Sequence, residues 1–208
     1  MTNKTLDSRS FSNRGKPKQV AALLLVDVIS DFDFEDGVEL YRNALKAAKA
    51  LSKLKNKAVE AGIPVIYVND NYGNWQDDFK AQFEHIVRSS ERGRDIAELL
   101  EPGTRDYYIL KPQRSGFYET PLDVLLRALN VSSVMVTGFA TDICVLFTAH
   151  DAYMRGYAVS VPADCCAAVK KAFHKDALSL LERVAKADIT ASTSIDLSSI
   201  KDKKGARP

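Results

Sequence analysis

Val20-Ala21-Ala22-Leu23-Leu24-Leu25-Val26-Asp27 is an unbroken apolar run that ends in a carboxylate. A strand with one wet face alternates apolar and polar residues, whereas a strand covered on both faces has no need to. The run therefore reads as a central strand of a parallel sheet, with Asp27 at its carboxyl end. Outward from it the chain alternates. Leu40, Ala44, Ala47, Leu51, Leu54 and Ala58 recur at spacings of four and three, a helical stripe that stops at Gly62. Residues 63–68 form a second strand. Residues 69–103 are polar and mixed, with short helices predicted at 79–87 and 94–100. Residues 107–110 form a third strand, closed by Lys111-Pro112. Thr120-Pro121-Leu122-Asp123 opens a helix with a capping hydroxyl, a proline in the first turn and an acid at the third position.

A fourth strand follows at 131–139, then a helix at 141–155, a fifth strand at 157–161, a helix at 172–184 and a short strand at 188–190. Strands alternating with helices imply parallel pairing and right-handed crossovers. The fold class is therefore α/β, a three-layer α/β/α sandwich of the Rossmann-like kind. The chain has 208 residues, enough for one well-buried domain. We assign residues 1–19 to a flexible N-terminal segment, 20–193 to the domain and 194–208 to a loose C-terminal tail.

The formal net charge of +2 gives no reason to expect nucleic acid or an acidic membrane as partner. The run at 20–26 is too short to cross a bilayer, and residues 1–19 lack the apolar centre of a secretory signal. The cysteines are Cys144, Cys165 and Cys166. Adjacent cysteines make a poor disulfide framework, which suggests thiols in a reducing cytoplasm.

Ligands bind at the carboxyl ends of strands in such sheets, and three reactive side chains fall there. Asp27 ends the first strand, Lys111 ends the third, and Cys144 lies in the first turn of the helix after the fourth. Each alone has an ordinary explanation: a turn former, a solvated charge, a small buried residue. Together they make chemical sense. A thiol is nucleophilic as thiolate, and a helix start and an ammonium both favour that form. A carboxylate can take the thiol proton and later give it to a leaving amine. No glycine-rich phosphate loop follows the first strand, where Asp27-Val28-Ile29-Ser30 stands instead. That argues against the rival reading, a non-catalytic α/β binding module.

Three segments resemble one family, the isochorismatase-like cysteine hydrolases, which include nicotinamidases. They are Leu23-Leu24-Leu25-Val26-Asp27, Lys111-Pro112-Gln113-Arg114-Ser115-Gly116-Phe117 with Thr120 beyond, and Gly138-Phe139-Ala140-Thr141-Asp142-Ile143-Cys144-Val145. The later Val161-Pro162-Ala163-Asp164-Cys165-Cys166-Ala167-Ala168 is similar to the family too. The resemblance implies a six-stranded parallel sheet in the order 3-2-1-4-5-6 and a catalytic set of Asp27, Lys111 and Cys144. It implies an oxyanion hole from the backbone N–H groups of Ala140 and Cys144, with a cis bond between Phe139 and Ala140. It further implies a small-molecule substrate and a homodimer or homotetramer. Nicotinamidases carry histidines after the second strand for a metal. Here Val68-Asn69-Asp70-Asn71-Tyr72-Gly73-Asn74-Trp75 has none, so neither a metal nor another cofactor is expected. Phe32, Trp75 and Phe117 are candidate pocket walls. Cys144 points to cleavage of an amide-like C–N bond, with vinyl ether hydrolysis of the isochorismate type as the alternative.

Overall fold

The sequence pattern demands a sheet covered on both faces, and the structure, a computed structural model, describes residues 20–76, 78–89 and 92–197. Residues 1–19, assigned above to a flexible segment, lie outside the described residues. The strands are β1 (Val20–Val26), β2 (Val65–Asp70), β3 (Tyr107–Lys111), β4 (Val131–Phe139), β5 (Ala158–Ser160) and β6 (Cys166–Ala167). The helices are α1 (Gly37–Glu60), α2 (Phe79–Ser89), α3 (Arg94–Leu99), α4 (Leu122–Ala128), α5 (Leu146–Met154) and α6 (Lys171–Val184). All strand pairings are parallel. No described helix is long and apolar enough to cross a membrane.

The continuous apolar run of β1 is explained by its two covered faces. Ala21, Leu23 and Leu25 join a core with α1, α2 and α3, including Leu51, Leu54, Phe79 and Ile96. Ala22, Leu24 and Val26 join a second core with α4, α5 and α6, including Leu126, Ala149 and Leu181. Side chains alternate across a strand, so a strand between two helical layers must be apolar at every position. The buried stripe of α1 holds Leu40, Ala44, Ala47, Leu51, Leu54 and Ala58, and the helix is followed by Gly62 at φ +70°.

The strand order departs from 3-2-1-4-5-6. It runs β3-β2-β1-β4-β5, and β6 pairs with β4 rather than adding a sixth place beyond β5. Only three residues of β5 pair with β4. Pro162, which has no N–H to donate, then opens a 3-10 turn at Ala163–Cys165. The turn returns the chain to the far end of β4, where Gly138 faces Cys166 and Phe139 faces Ala167. The strand expected at 188–190 is a single bridge between Ser160 and Asp188. It ends where the Asp188 side chain accepts the N–H of Thr190 at 3.0 Å. The helix expected to start with Thr120 as cap begins one residue later. Thr120 still caps it, accepting the Leu122 N–H at 3.3 Å, and donates to the Gly116 carbonyl. The tail expected from residue 194 holds Leu197 in the core beneath α1, with Ile195 packed against it. Residues 198–208 lie outside the described residues.

β1 and β4 come closest where the site begins. Gly138 has φ +117°, and a Cβ there would lie 2.0 Å from the carbonyl oxygen of Val26, its partner in the ladder. Gly62 also has positive φ but has open space around it. Gly138→Ala should therefore lower unfolding free energy by roughly 3–5 kcal/mol, combining backbone strain with a backbone clash. Gly62→Ala, strained but unhindered, should cost about 1–2 kcal/mol. Urea unfolding midpoints of the two variants check this, and equal losses would refute the close-approach argument.

Candidate active site

Four neighbouring strands each deliver one side chain to the same end of the sheet. Read across it, these are Lys111 from β3, Asp70 from β2, Asp27 after β1, and Cys144 from the turn after β4. Register sets the alignment: Asp70 and Lys111 face each other across the ladder, and the Asp27 N–H donates to the Val68 carbonyl at 3.0 Å. Asp27 itself has φ +50°, a left-handed conformation that aspartate tolerates better than most residues. Its Oδ1 accepts the Asp70 N–H at 2.7 Å, which leaves Oδ2 for Lys111.

Lys111 is fully buried, and its ammonium joins the set. Nζ lies 2.9 Å from Asp27 Oδ2, 3.1 Å from Asp70 Oδ2 and 3.6 Å from Cys144 Sγ. A lysine is long enough to reach from β3 past β2 towards β1, strands that sit about 4.8 Å apart. Burial disfavours the ammonium, but Asp27, Cys144 and Asp70 outweigh it, so the lysine stays charged far into the alkaline range. Two carboxylates against one ammonium leave this group with an excess negative charge. Burial is the largest influence on Asp27 and pushes its carboxyl up; Lys111 pulls it back only in part, and Asp70 adds to the rise.

The thiol differs from the sequence expectation. A helix start and a nearby ammonium predict an acidified Cys144. Instead its pKa is raised, first by burial and then by the Asp27 carboxylate, with Lys111 opposing. Burial is the largest cause, and the Asp27 carboxylate beside the sulfur outweighs the opposing Lys111 ammonium. Burial and Asp27 thus favour the protonated thiol over the thiolate. Cys144 sits in a π turn, Thr141–Val145, that leads into α5. The Ala140 carbonyl accepts from both Ile143 at 3.1 Å and Val145 at 3.2 Å. The Phe139–Ala140 peptide bond is cis. His174 of α6 holds the start of the turn, its Nδ1 2.8 Å from Thr141 Oγ1.

A cavity of about 370 Å³ opens over these groups. Asp27, Asp70, Ala140 and Cys144 form its floor. Phe32, Phe34, Phe139 and Tyr72 supply aromatic walls, and Glu35 and Asp36 stand among its lining residues. Of the three aromatic candidates only Phe32 lines it. Trp75 is 77% exposed on the loop after β2, because that loop turns outward, with Asn74 N–H bonded to the Asn71 carbonyl. Phe117 is buried on the opposite side of the sheet, stacked on Tyr157 at 6.0 Å and beneath the Arg155 guanidinium. It is drawn there because the loop after β3 docks on α5: Gly116 N–H donates to Thr148 Oγ1 at 2.9 Å, and Ser115 Oγ to Asp151 at 2.8 Å. That segment supports the helix that follows Cys144 rather than lining the cavity.

The sequence reading missed Asp70, Tyr72 and Asn69. Asp70 repeats the pattern of Asp27, a carboxylate ending an apolar strand, and that signal was available. Asn69 is fully buried and clamps the segment after β1 by bonding both the N–H and the carbonyl of Ile29, at 3.2 and 2.8 Å. Of the histidines, His85 is exposed and His150 is bonded to the Leu146 carbonyl. Among the described residues no three His, Cys, Asp or Glu side chains are grouped to hold a metal ion. Cys165 lies in the core under α1 and Cys166 in the other. Burial raises both thiols, Cys165 to about 12.

Comparison with known proteins agrees with this architecture. The family model described as the isochorismatase domain matches residues 21–193. YaaI, an uncharacterised isochorismatase family protein of Bacillus subtilis strain 168, is 41% identical over 174 residues, spanning 84% of this chain and 95% of that one. The N-carbamoylsarcosine amidase of Thermoplasma acidophilum superposes with a TM-score of 0.65 at 30% identity, covering 86% of this chain and 99% of that one. A pyrazinamidase/nicotinamidase of Streptococcus mutans UA159 does so with a TM-score of 0.65 at 31% identity, covering 81% and 99%. With the domain model matching residues 21–193 and a relative at this identity, the chain belongs to the isochorismatase-like cysteine hydrolase family.

Proposed function

We propose that this protein is an amidohydrolase that cleaves a C–N bond of a small molecule through a thioester at Cys144. The observation that carries the reading is the place of the Lys111 ammonium, 2.9 Å from Asp27 and 3.6 Å from Cys144. Moving the thiol proton to Asp27 shifts a negative charge from carboxylate to sulfur. Lys111 faces both positions, so one cation balances the charge before and after the transfer. Relatives whose names describe amidases of carbamoylsarcosine and nicotinamide support the same bond type.

The steps follow from the residues. Cys144 Sγ attacks the carbonyl carbon as Asp27 takes its proton. The N–H groups of Ala140 and Cys144 receive the oxyanion, a contribution worth about 3 kcal/mol per donor. Asp27 returns the proton to the departing nitrogen as the C–N bond breaks, which releases ammonia or an amine and leaves a thioester. Water then attacks the thioester and gives its proton to Asp27. The C–S bond breaks, the acid product leaves, and the thiolate recovers the proton. Assaying the purified protein against small amides, ureides and isochorismate tests the reading. Turnover of an amide or ureide is expected; turnover of isochorismate alone would replace it with vinyl ether hydrolysis.

Asp27→Asn, Lys111→Ala and Cys144→Ala should each lower kcat by about 1,000-fold or more, and combining them should add little, because groups that act as one unit are not additive. Multiplying losses in the double variants would show independent action. The pH profile carries a second test. Asp27 must be ionised to act as base, and its pKa is raised, so kcat/KM is full above that raised value. It falls as pH drops through it, at higher pH than an ordinary carboxylate would give. Asp70 contributes to the rise, so Asp70→Asn should move this acid limb to lower pH. A limb that stays put or moves up would mean that Asp27 is not the titrating base.

A further inference from the structure

The segment that leaves β1 for α1 reads Ser30-Asp31-Phe32-Asp33-Phe34-Glu35-Asp36, four acids interleaved with two phenylalanines, and its second half borders the cavity over Cys144. The ionisable carboxyl groups lining that cavity are Asp27, Asp70, Glu35 and Asp36, and no lysine, arginine or histidine lines it among the described residues. Lys111, beneath the floor, is already engaged by two carboxylates. Asp33 on the outer side of the segment pairs with Arg92. Glu35 and Asp36 have no ion-pair partner among the described residues, and they stand next to Phe34, which is half exposed.

We propose that this cavity selects amides carrying a cationic amine, with Glu35 and Asp36 receiving the ammonium beside the half-exposed ring of Phe34. The inference rests on the amide reading above and adds the charge of the substrate to it. Among the described residues, an anionic ligand would enter a cleft whose lining charges are all of its own sign, with Lys111 beneath them already held by two carboxylates. Clefts lined by one sign of charge concentrate ligands of the other sign and repel their own. Aromatic faces add attraction for an ammonium, and they do so while excluding water. Asp36 also holds a left-handed backbone, φ +63°, at the entrance to α1. This fixes where its side chain leaves the chain, and asparagine tolerates the same conformation.

The test compares three probes of one shape, n-pentylammonium, 1-pentanol and pentanoate, as protectants of Cys144 against iodoacetamide, with the adduct quantified by peptide mass spectrometry. Pentylammonium should protect at about tenfold lower concentration than pentanol, and pentanoate should be weaker than either, as expected for two partly screened carboxylates at contact distance. The advantage should shrink with added salt. In Glu35→Gln combined with Asp36→Asn, the ratio of ammonium to alcohol should fall to within about twofold. Shifts of melting temperature by the same probes give the same order where alkylation is slow. Equal protection by all three, protection led by pentanoate, or a ratio untouched by the double substitution overturns the proposal. These readouts need no turnover. Failure of every amide in the assay above would therefore sink the amide reading, while the order of protection decides the charge preference separately.

Discussion

An ammonium buried without water must be held by carboxylates, and the end of the sheet is built around that requirement at Lys111. Removing a lysine's charge from solvent costs several kcal/mol unless partners replace the water. Asp27 and Asp70 replace it at 2.9 and 3.1 Å. Both must come from strands adjacent to β3 in order, and both must end at the same height. The register Asp70–Lys111 and the bond from Asp27 N–H to Val68 meet this condition. The electrostatics of Cys144 follow: burial and the Asp27 carboxylate both raise its thiol, and Lys111 opposes them only in part.

This arrangement has a chemical advantage. A standing thiolate in an open cavity is exposed to oxidation and alkylation. In the proposed mechanism, a thiol kept protonated beside Asp27 is protected until a carbonyl arrives, and its proton then moves only to the neighbouring carboxylate. Neither the proton nor the charge leaves the reach of Lys Nζ. Preorganisation of this kind stabilises the transition state without rearranging the surroundings at the moment of reaction.

The supporting residues show how much of the domain serves that geometry. Gly138 lets β4 approach the Val26 carbonyl, Asn69 clamps Ile29, and His174 braces Thr141 from α6. The loop after β3 docks Gly116 and Ser115 on α5. None of these groups reaches the cavity floor. Each holds a neighbouring segment in place, and together they set the spacing of the four side chains that do.

The local pattern of the chain determined the layers. The eight residues ending at Asp27 have no polar face, and only a strand between two helical layers can be built that way. The stripe Leu40 to Ala58 and the position of Cys144 after β4 were legible for the same reason, since period and strand-end placement are properties of neighbouring residues. Three matters were decided only by the tertiary structure. β6 took its place on β4 because β5 ended at a proline, which a strand-by-strand reading cannot see. Phe117 turned away from the cavity because its loop is anchored on α5, and Trp75 went into solvent because its loop turns outward after β2. The state of the Cys144 thiol depended on its burial and on the Asp27 carboxylate, which comes beside it only when β1 lies next to β4. Charge balance in a buried site is a sum over everything within a few ångströms, and sequence order does not say which residues those are.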